Sequence, residues 1–191
     1  RLLGSKMSEL VGQQVIVDNR PGGAGIIAAE TTLKAAADGH TLYLASTSFV
    51  VSPSLQKSLP YDTLKDFAPI MRVSSTPGTL VVHASLPVRN VRDLVKLAKS
   101  KPGELTFGSA GVASNSHLSG ELFKVLAGVD MIHVPYKGSA LATNALLSGE
   151  TAVGFSNAIA TLPQVRTGRL RLLAVTTAKR SRLLPDVPTI A

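Results

Sequence analysis

The sequence predicts an α/β protein with mainly parallel strands. Two observations carry that prediction. Apolar residues alternate between helical spacing and short continuous runs, and Gly, Pro, Asn, Asp or Ser punctuate almost every junction between them. A third observation points at function: several of the short runs end in loops of small and hydroxylated residues, at the strand ends where open α/β sheets hold ligands.

The elements follow in order. Leu3, Met7, Leu10 and Val11 keep helical spacing, and residues 14–17 read as a short buried strand ending at Asp18 and Asn19. Residues 20–25 form a glycine-rich turn, 26–37 suit a helix, Asp38 and Gly39 break it, and 41–45 are a strand. Ser46, Thr47 and Ser48 make a polar strand exit ahead of a loop carrying Pro53, Pro60 and Pro69. Residues 67–73 and 79–83 are two successive strands without a helix between them, which suggests a crossing from one lobe to another. Asn90 caps a helix whose apolar face is Val91, Leu94, Val95 and Ala98, and Pro102 with Gly103 ends it. The strand at 105–108 leads through a polar loop to a helix with Leu118, Leu122, Val125 and Leu126 on one face, stopped by Gly128. A strand at 131–134, a helix capped by Ser139 and running to Leu147, a strand at 152–155, a helix containing Pro163 and a strand at 170–176 complete the series.

Composition narrows the function. With 45% apolar and 17% charged residues, 191 residues bury a sizeable core, so intrinsic disorder is excluded. No apolar run reaches the roughly 18 residues of a membrane span, and residues 1–11 lack the pattern of an export signal. With no cysteine there is no disulfide scaffold, thiolate metal site or cysteine nucleophile. The net charge of +8 favours an anionic partner. Nucleic acid is not expected, because aromatics are only 4% and the densest basic stretch, Arg166 to Arg182, flanks an apolar strand. Membrane-surface binding is not expected either, since the cations do not follow one face of an amphipathic helix.

Gly23, Gly25 and Ala28 fit a dinucleotide fingerprint, but four residues separate them from the preceding strand, no acid ends the next strand, and no phosphate-loop lysine follows. A turn opening a helix is the better reading. His40, His83, His117 and His133 are scattered without metal-ligand spacing, so no metal or cofactor is expected. The strongest feature is the loop Ser109, Ala110, Gly111, Val112, Ala113, Ser114, Asn115, Ser116, His117, where hydroxyls and free amides gather at a helix start. Such a start suits a carboxylate or phosphate, and it also suits an ordinary N-cap. A serine hydrolase built on Ser114 and His117 is weaker, for want of a nucleophile elbow or an acid partner. Tyr136, Lys137 and Gly138, then Ser156 and Asn157, are two further polar strand exits.

The segments Val17-Asp18-Asn19-Arg20-Pro21-Gly22, Asp38-Gly39-His40-Thr41-Leu42, Leu59-Pro60-Tyr61-Asp62, Asp66-Phe67-Ala68-Pro69, Phe107-Gly108-Ser109-Ala110-Gly111, His133-Val134-Pro135-Tyr136-Lys137-Gly138 and Leu184-Pro185-Asp186-Val187-Pro188-Thr189 together resemble, in order, the Bug or TctC-type solute-binding proteins of tripartite tricarboxylate transporters. The resemblance covers essentially the whole chain. It implies a type II periplasmic binding protein of two α/β lobes and a hinge, truncated here at both ends: lobe one over 1–77, lobe two over 78–176, and a return segment over 177–191. It implies a non-catalytic, periplasmic receptor that captures a small organic acid between its lobes for membrane transporter subunits, without itself inserting in the membrane. A ligand-sensing module for a regulatory partner is the alternative.

Carried over position by position, residues 109–111 and 114–117 match the family's second-lobe anion loop, 136–138 its next cleft loop, and Ser46, Thr47 and Ser48 a first-lobe strand exit. Two departures follow from the same resemblance. Val112-Ala113 replaces a frequent Asn-Gly, and Ser156 replaces an Asp of amino-acid binders, which leans the ligand towards a plain carboxylate. The resemblance also implies that lobe one lacks its first strand, whose place in the sheet is between the strands at Val15 and Leu42, and that these residues alone bind ligand poorly.

Overall fold

The computed structural model describes residues 1–20 and 22–190. Pro21, part of the expected glycine-rich turn, and Ala191 lie outside the described residues. The chain forms two compact units, Arg1–Phe67 and Ala68–Ala191, so the first unit ends at Phe67 where the sequence reading carried the first lobe to residue 77.

In the first unit, α1 (Leu2–Val11) stops at Gly12, whose left-handed φ of 66° a side chain would resist. A 3-10 turn at Gly23–Gly25 opens α2 (Ile26–Leu33), which ends short of the expected residue 37. Next comes α3 (Thr47–Leu55), where the sequence reading placed a polar strand exit and a proline loop. Pro53 sits inside this helix and removes one of its backbone donors. What holds α3 is packing: Phe49 is buried with Tyr61 and Ala29, and Tyr43 and Phe67 close a ring cluster with centroids 4.9 to 5.7 Å apart.

The strands expected at 14–17, 41–45 and 67–73 do not form; the first described strand begins at Gly78. A strand exists by its ladder to a neighbour, and none of these segments has one. Much of their apolar surface is accordingly in solvent, with Ile16, Leu44 and Ile70 at 81%, 70% and 76% exposure, while Tyr43 and Phe67 turn into the ring cluster.

The second unit is a five-stranded sheet with helices on both faces. Its elements are β1 (Gly78–His83), α4 (Val91–Ser100), β2 (Thr106–Ser109), α5 (Asn115–Ala127), β3 (Ile132–Pro135), α6 (Ser139–Ser148), β4 (Val153–Asn157), α7 (Ala158–Arg166) and β5 (Leu170–Val175). The strand order is β3-β2-β4-β1-β5. β2 runs parallel to β3 and β4, but β1 is antiparallel to both β4 and β5, so the sheet is mixed, with four of its five strands running one way and β1 against them. Residues 177–190 belong to this unit, where Ile190 packs on the core and its N–H donates to Val175 O at 3.1 Å.

Side-chain alternation along the strands divides the core. Leu80 and Val82 of β1 join Phe107, Val153, Phe155 and Leu173 under α4 and α5, while Val81 faces Leu146 of α6 and Val165 of α7. The face of α5 is reversed from expectation. Gly120 and Phe123 are buried, whereas Leu122, Val125 and Leu126 are 58%, 76% and 77% exposed. The Phe107 ring decides this, lying flush against the α5 backbone at Gly120, where a Cβ would stand 2.6 Å from Phe107 Cδ2. Gly120→Ala therefore gains helix propensity of about 1 kcal/mol but overpacks a rigid ring at a cost of roughly 1–3 kcal/mol or more. Urea denaturation should show a net loss of stability, and an unchanged or raised midpoint would contradict this packing.

Candidate functional site

Because β2, β3 and β4 are parallel, their carboxyl ends reach one edge of the sheet, and each is followed there by the start of a helix. Antiparallel β1 begins at that same edge, with Gly78 opposite Asn157, and β5 ends there, with Val175 opposite Thr79. Loops that are remote in sequence thus gather at one place.

The loop after β2 is fastened from within. Ser109 is fully buried; its Oγ lies 2.6 Å from His133 Nε2 and accepts the Gly111 N–H at 3.1 Å. The Ala110 N–H donates to Ser116 Oγ at 2.9 Å, and Ser114 Oγ donates to Gly111 O at 2.6 Å. Gly111 has φ 126°, and Ala113, a residue with a Cβ, is held at φ 65°, a strained position kept by its N–H donating to His117 Nδ1 at 3.2 Å. The His117 ring stacks on that of His133 with centroids 4.1 Å apart, and His133 stacks in turn on Phe107 at 4.9 Å. Ser114 Oγ accepts the His117 main-chain N–H at 3.3 Å and is not bonded to its ring. The nucleophile–base pair that a serine hydrolase requires is therefore not assembled.

Three helices start at this edge, and they differ in what their free N–H groups meet. At α5, the Asn115 and Ser116 amides have no intramolecular partner among the described residues, the Ser114 cap serving His117 instead. At α6, Gly138 with φ 115° is the N-cap, no side chain caps it, and the Ser139 and Ala140 amides are open in the same way. The start of α7 is closed by comparison: Ala158 N–H donates to Pro77 O at 3.2 Å and Ala160 N–H to Asn157 Oδ1 at 2.9 Å. Below it, buried Thr79 joins Thr161 to the Ser156 carbonyl.

A concavity of about 160 Å³ lies at these helix starts. Of the residues singled out from sequence, Ala110, Ser114, Asn115, Ser116, Ser156 and Asn157 line it. Ser109, Gly111 and His117 stand behind as supports of the loop. Tyr136, Lys137 and Gly138 do not line it: the Tyr136 hydroxyl donates to Glu150 Oε1 at 2.7 Å, Lys137 is exposed, and the Gly138 N–H donates to Ala110 O at 3.1 Å. Burial, then the Glu150 carboxylate, pushes the Tyr136 hydroxyl up to about 12. Ser46, Thr47 and Ser48 lie in the first unit, where Ser46 is the N-cap of α3 without a side-chain cap bond.

Sequence reasoning missed Ser119, Thr143 and Thr176, which also line the concavity, and Ser139, expected as the cap of its helix, lines it as the first residue of α6 behind the Gly138 cap. Ser119 lies one turn beyond Ser116 and Thr143 one turn beyond Ser139, so helical spacing from each helix start was the available signal. Thr176 comes to the edge only through the β1–β5 pairing, which the sequence does not announce. No group of three or more His, Asp or Glu side chains among the described residues is placed to hold a metal ion.

Comparisons with known proteins agree on one family. Residues 1–191 match the model of the tripartite tricarboxylate transporter family receptor. The chain is 39% identical to a UPF0065 protein from the tcbD-tcbE intergenic region of Pseudomonas sp. strain P51 and 39% identical to BugT of Bordetella pertussis, with all of this chain matched in both. It spans 57% and 59% of the length of those relatives. Among solved structures, Rpa4515 of R. palustris with adipate superposes at TM-score 0.94 and 40% identity, over 100% of this chain and 64% of that one. MatC of Rhodopseudomonas palustris with bound malate superposes at 0.87 and 29% identity, over 99% and 65%. The periplasmic binding protein BugD gives 0.89 and 31%, over 98% and 63%.

The ring stack behind the loop has a pH consequence. Burial lowers the pKa of His133 below its ordinary value of 6.5, the His117 ring and Lys124 act the same way, and Glu121 opposes them. The folded protein therefore resists protonating His133 more than the unfolded chain does, so stability falls as pH drops through about 6.5 and levels off once the folded ring is also protonated. Denaturation between about pH 7.5 and about pH 5 should show a smaller fall for His133→Gln than for the parent. Equal falls would contradict the assignment.

Proposed function

The chain belongs to the tripartite tricarboxylate transporter receptor family, and from that premise we propose that it binds a small carboxylate-bearing metabolite at the α5 and α6 helix starts of its second unit. The observation that carries this reading is the pair of open N-termini at one concavity. Unpaired N–H groups at a helix start carry a partial positive charge that favours an anion, and here Asn115 and Ser116 of α5 and Ser139 of α6 border the same space. Hydroxyls of Ser119, Ser139, Thr143 and Thr176 around that space have no side-chain bond among the described residues and supply further donors. Adipate and malate, present in two of the solved relatives, are both dicarboxylates.

In this reading Asn115 and Ser116 present their amides, and Ser116 its hydroxyl, to one carboxylate, while Ser109, Gly111, Ser114 and His117 hold the loop in shape. Ser156 and Asn157 bound the site at β4, with no acid there to demand an ammonium group. Tyr136, Lys137 and Gly138 form the next loop and stay off the concavity. The whole protein would act as a periplasmic, non-catalytic receptor that hands its ligand to membrane transporter subunits.

Asn115 offers a sharp test, because proline is tolerated at the first helical position and Ser114, at φ −68° and ψ 158°, already has the backbone a following proline requires. Asn115→Pro removes one open amide and leaves the helix intact, whereas Asn115→Ala removes only the side chain. Losing a hydrogen bond to a charged acceptor costs about 1.5–3 kcal/mol. Calorimetry with adipate and malate on the intact protein should show Asn115→Pro weakening the binding by on the order of ten- to a hundredfold relative to Asn115→Ala. Equal affinities for the two variants would refute amide capture at α5.

A further inference from the structure

The +8 charge is not shared between the units. Residues 1–67 carry six Lys and Arg against six Asp and Glu, while residues 68–191 carry fourteen against six. Within the second unit one element concentrates it. Arg92, Lys96 and Lys99 fall on a single face of α4, opposite the buried Leu94 and Ala98, with Arg89 just ahead of the helix start, and all four cations are exposed. The expectation that no helix aligns its cations is thereby corrected. No ion pair forms at any of the four among the described residues; the unit's pairs are Lys101–Glu104 and Lys124–Glu121. Asp93, the one acid on α4, accepts the Arg89 main-chain N–H at 3.0 Å and so serves the helix start.

We propose that the outer face of α4 is a docking surface for an anionic lipid membrane. The stripe runs about 10 Å from Arg92 to Lys99, and its cations point outward from a helix face instead of closing round a pocket. Long flexible cations on an open face suit a plane of headgroups, whose charges need no fixed register. A protein partner is the weaker fit, because lysine is depleted at protein interfaces and this stripe is half lysine. The neighbouring surface agrees. α5 packs on the same face of the sheet through the same core, and its outward side shows Leu122, Val125 and Leu126 to solvent. Cations beside exposed aliphatic groups in one helical layer are the composition of a peripheral membrane contact. No helix among the described residues is long and apolar enough to cross a membrane, so the contact lies at the surface.

The test is sedimentation of the intact protein with vesicles of phosphatidylcholine alone and with about 30 mol% phosphatidylglycerol added. Binding is expected only with the anionic vesicles, and roughly 0.5 M salt should abolish most of it. Each cation at such a surface contributes roughly fivefold, so Arg92→Glu, Lys96→Glu and Lys99→Glu combined should lower the partition coefficient by at least about 50-fold. The same charge change at Arg166→Glu, Lys179→Glu and Arg182→Glu, outside α4, should lower it by less than about fivefold. Circular dichroism of both variants checks that they fold. Failure to bind anionic vesicles, equal loss in the two variants, or binding to polyglutamate but not to vesicles overturns the proposal, the last in favour of an acidic protein partner.

Discussion

The arrangement at the candidate site rests on one constraint: β2 is hydrogen-bonded in parallel on both sides, to β3 and to β4. Parallel neighbours must be joined by crossovers, and crossover helices begin where the strands end. Helix starts are therefore brought to a single sheet edge whatever the ligand. β1 adds the asymmetry. Running against the others, it delivers Pro77 to the same edge, where the Pro77 carbonyl takes the first amide of α7 and leaves those of α5 and α6 open. Which helix starts are free to meet an anion is thus decided by strand direction as much as by the residues at the caps.

The charge of this protein divides into two kinds of electrostatics. At the concavity no charged side chain is required, since amides and hydroxyls are oriented by Ser109, His133 and the buried Thr79 pair and need no reorganisation to face an anion. On α4 the cations are exposed, flexible and screened by salt, so they suit broad attraction more than selection. The +8 that first suggested a polyanion belongs wholly to the second unit, on its surface instead of in its site.

Much of the second unit was legible in the sequence, because its strands are apolar runs bounded by glycine and its helices announce themselves with Asn90, Ser114 and Asn157 as caps. The anion loop was legible for the same reason. What failed depends on partners distant in the chain. Residues 14–17 and 41–45 have strand composition but no ladder partner; α3 survives Pro53 because Phe49 is held by Tyr43, Tyr61 and Phe67. The inward face of α5 is set by the Phe107 ring against Gly120, which overrides the larger apolar stripe. Tyr136 was named for its hydroxyl, and Glu150, fourteen residues on, occupies it.

Amide chemical shifts during titration with adipate test the central claim most directly. The N–H resonances of Asn115, Ser116, Ser139 and Ala140 should move together and saturate, while that of Ala158, already bonded to Pro77, should move little. Shifts confined to other residues, such as the exposed cations of α4 or the 166–169 turn, would contradict capture at the two open helix starts.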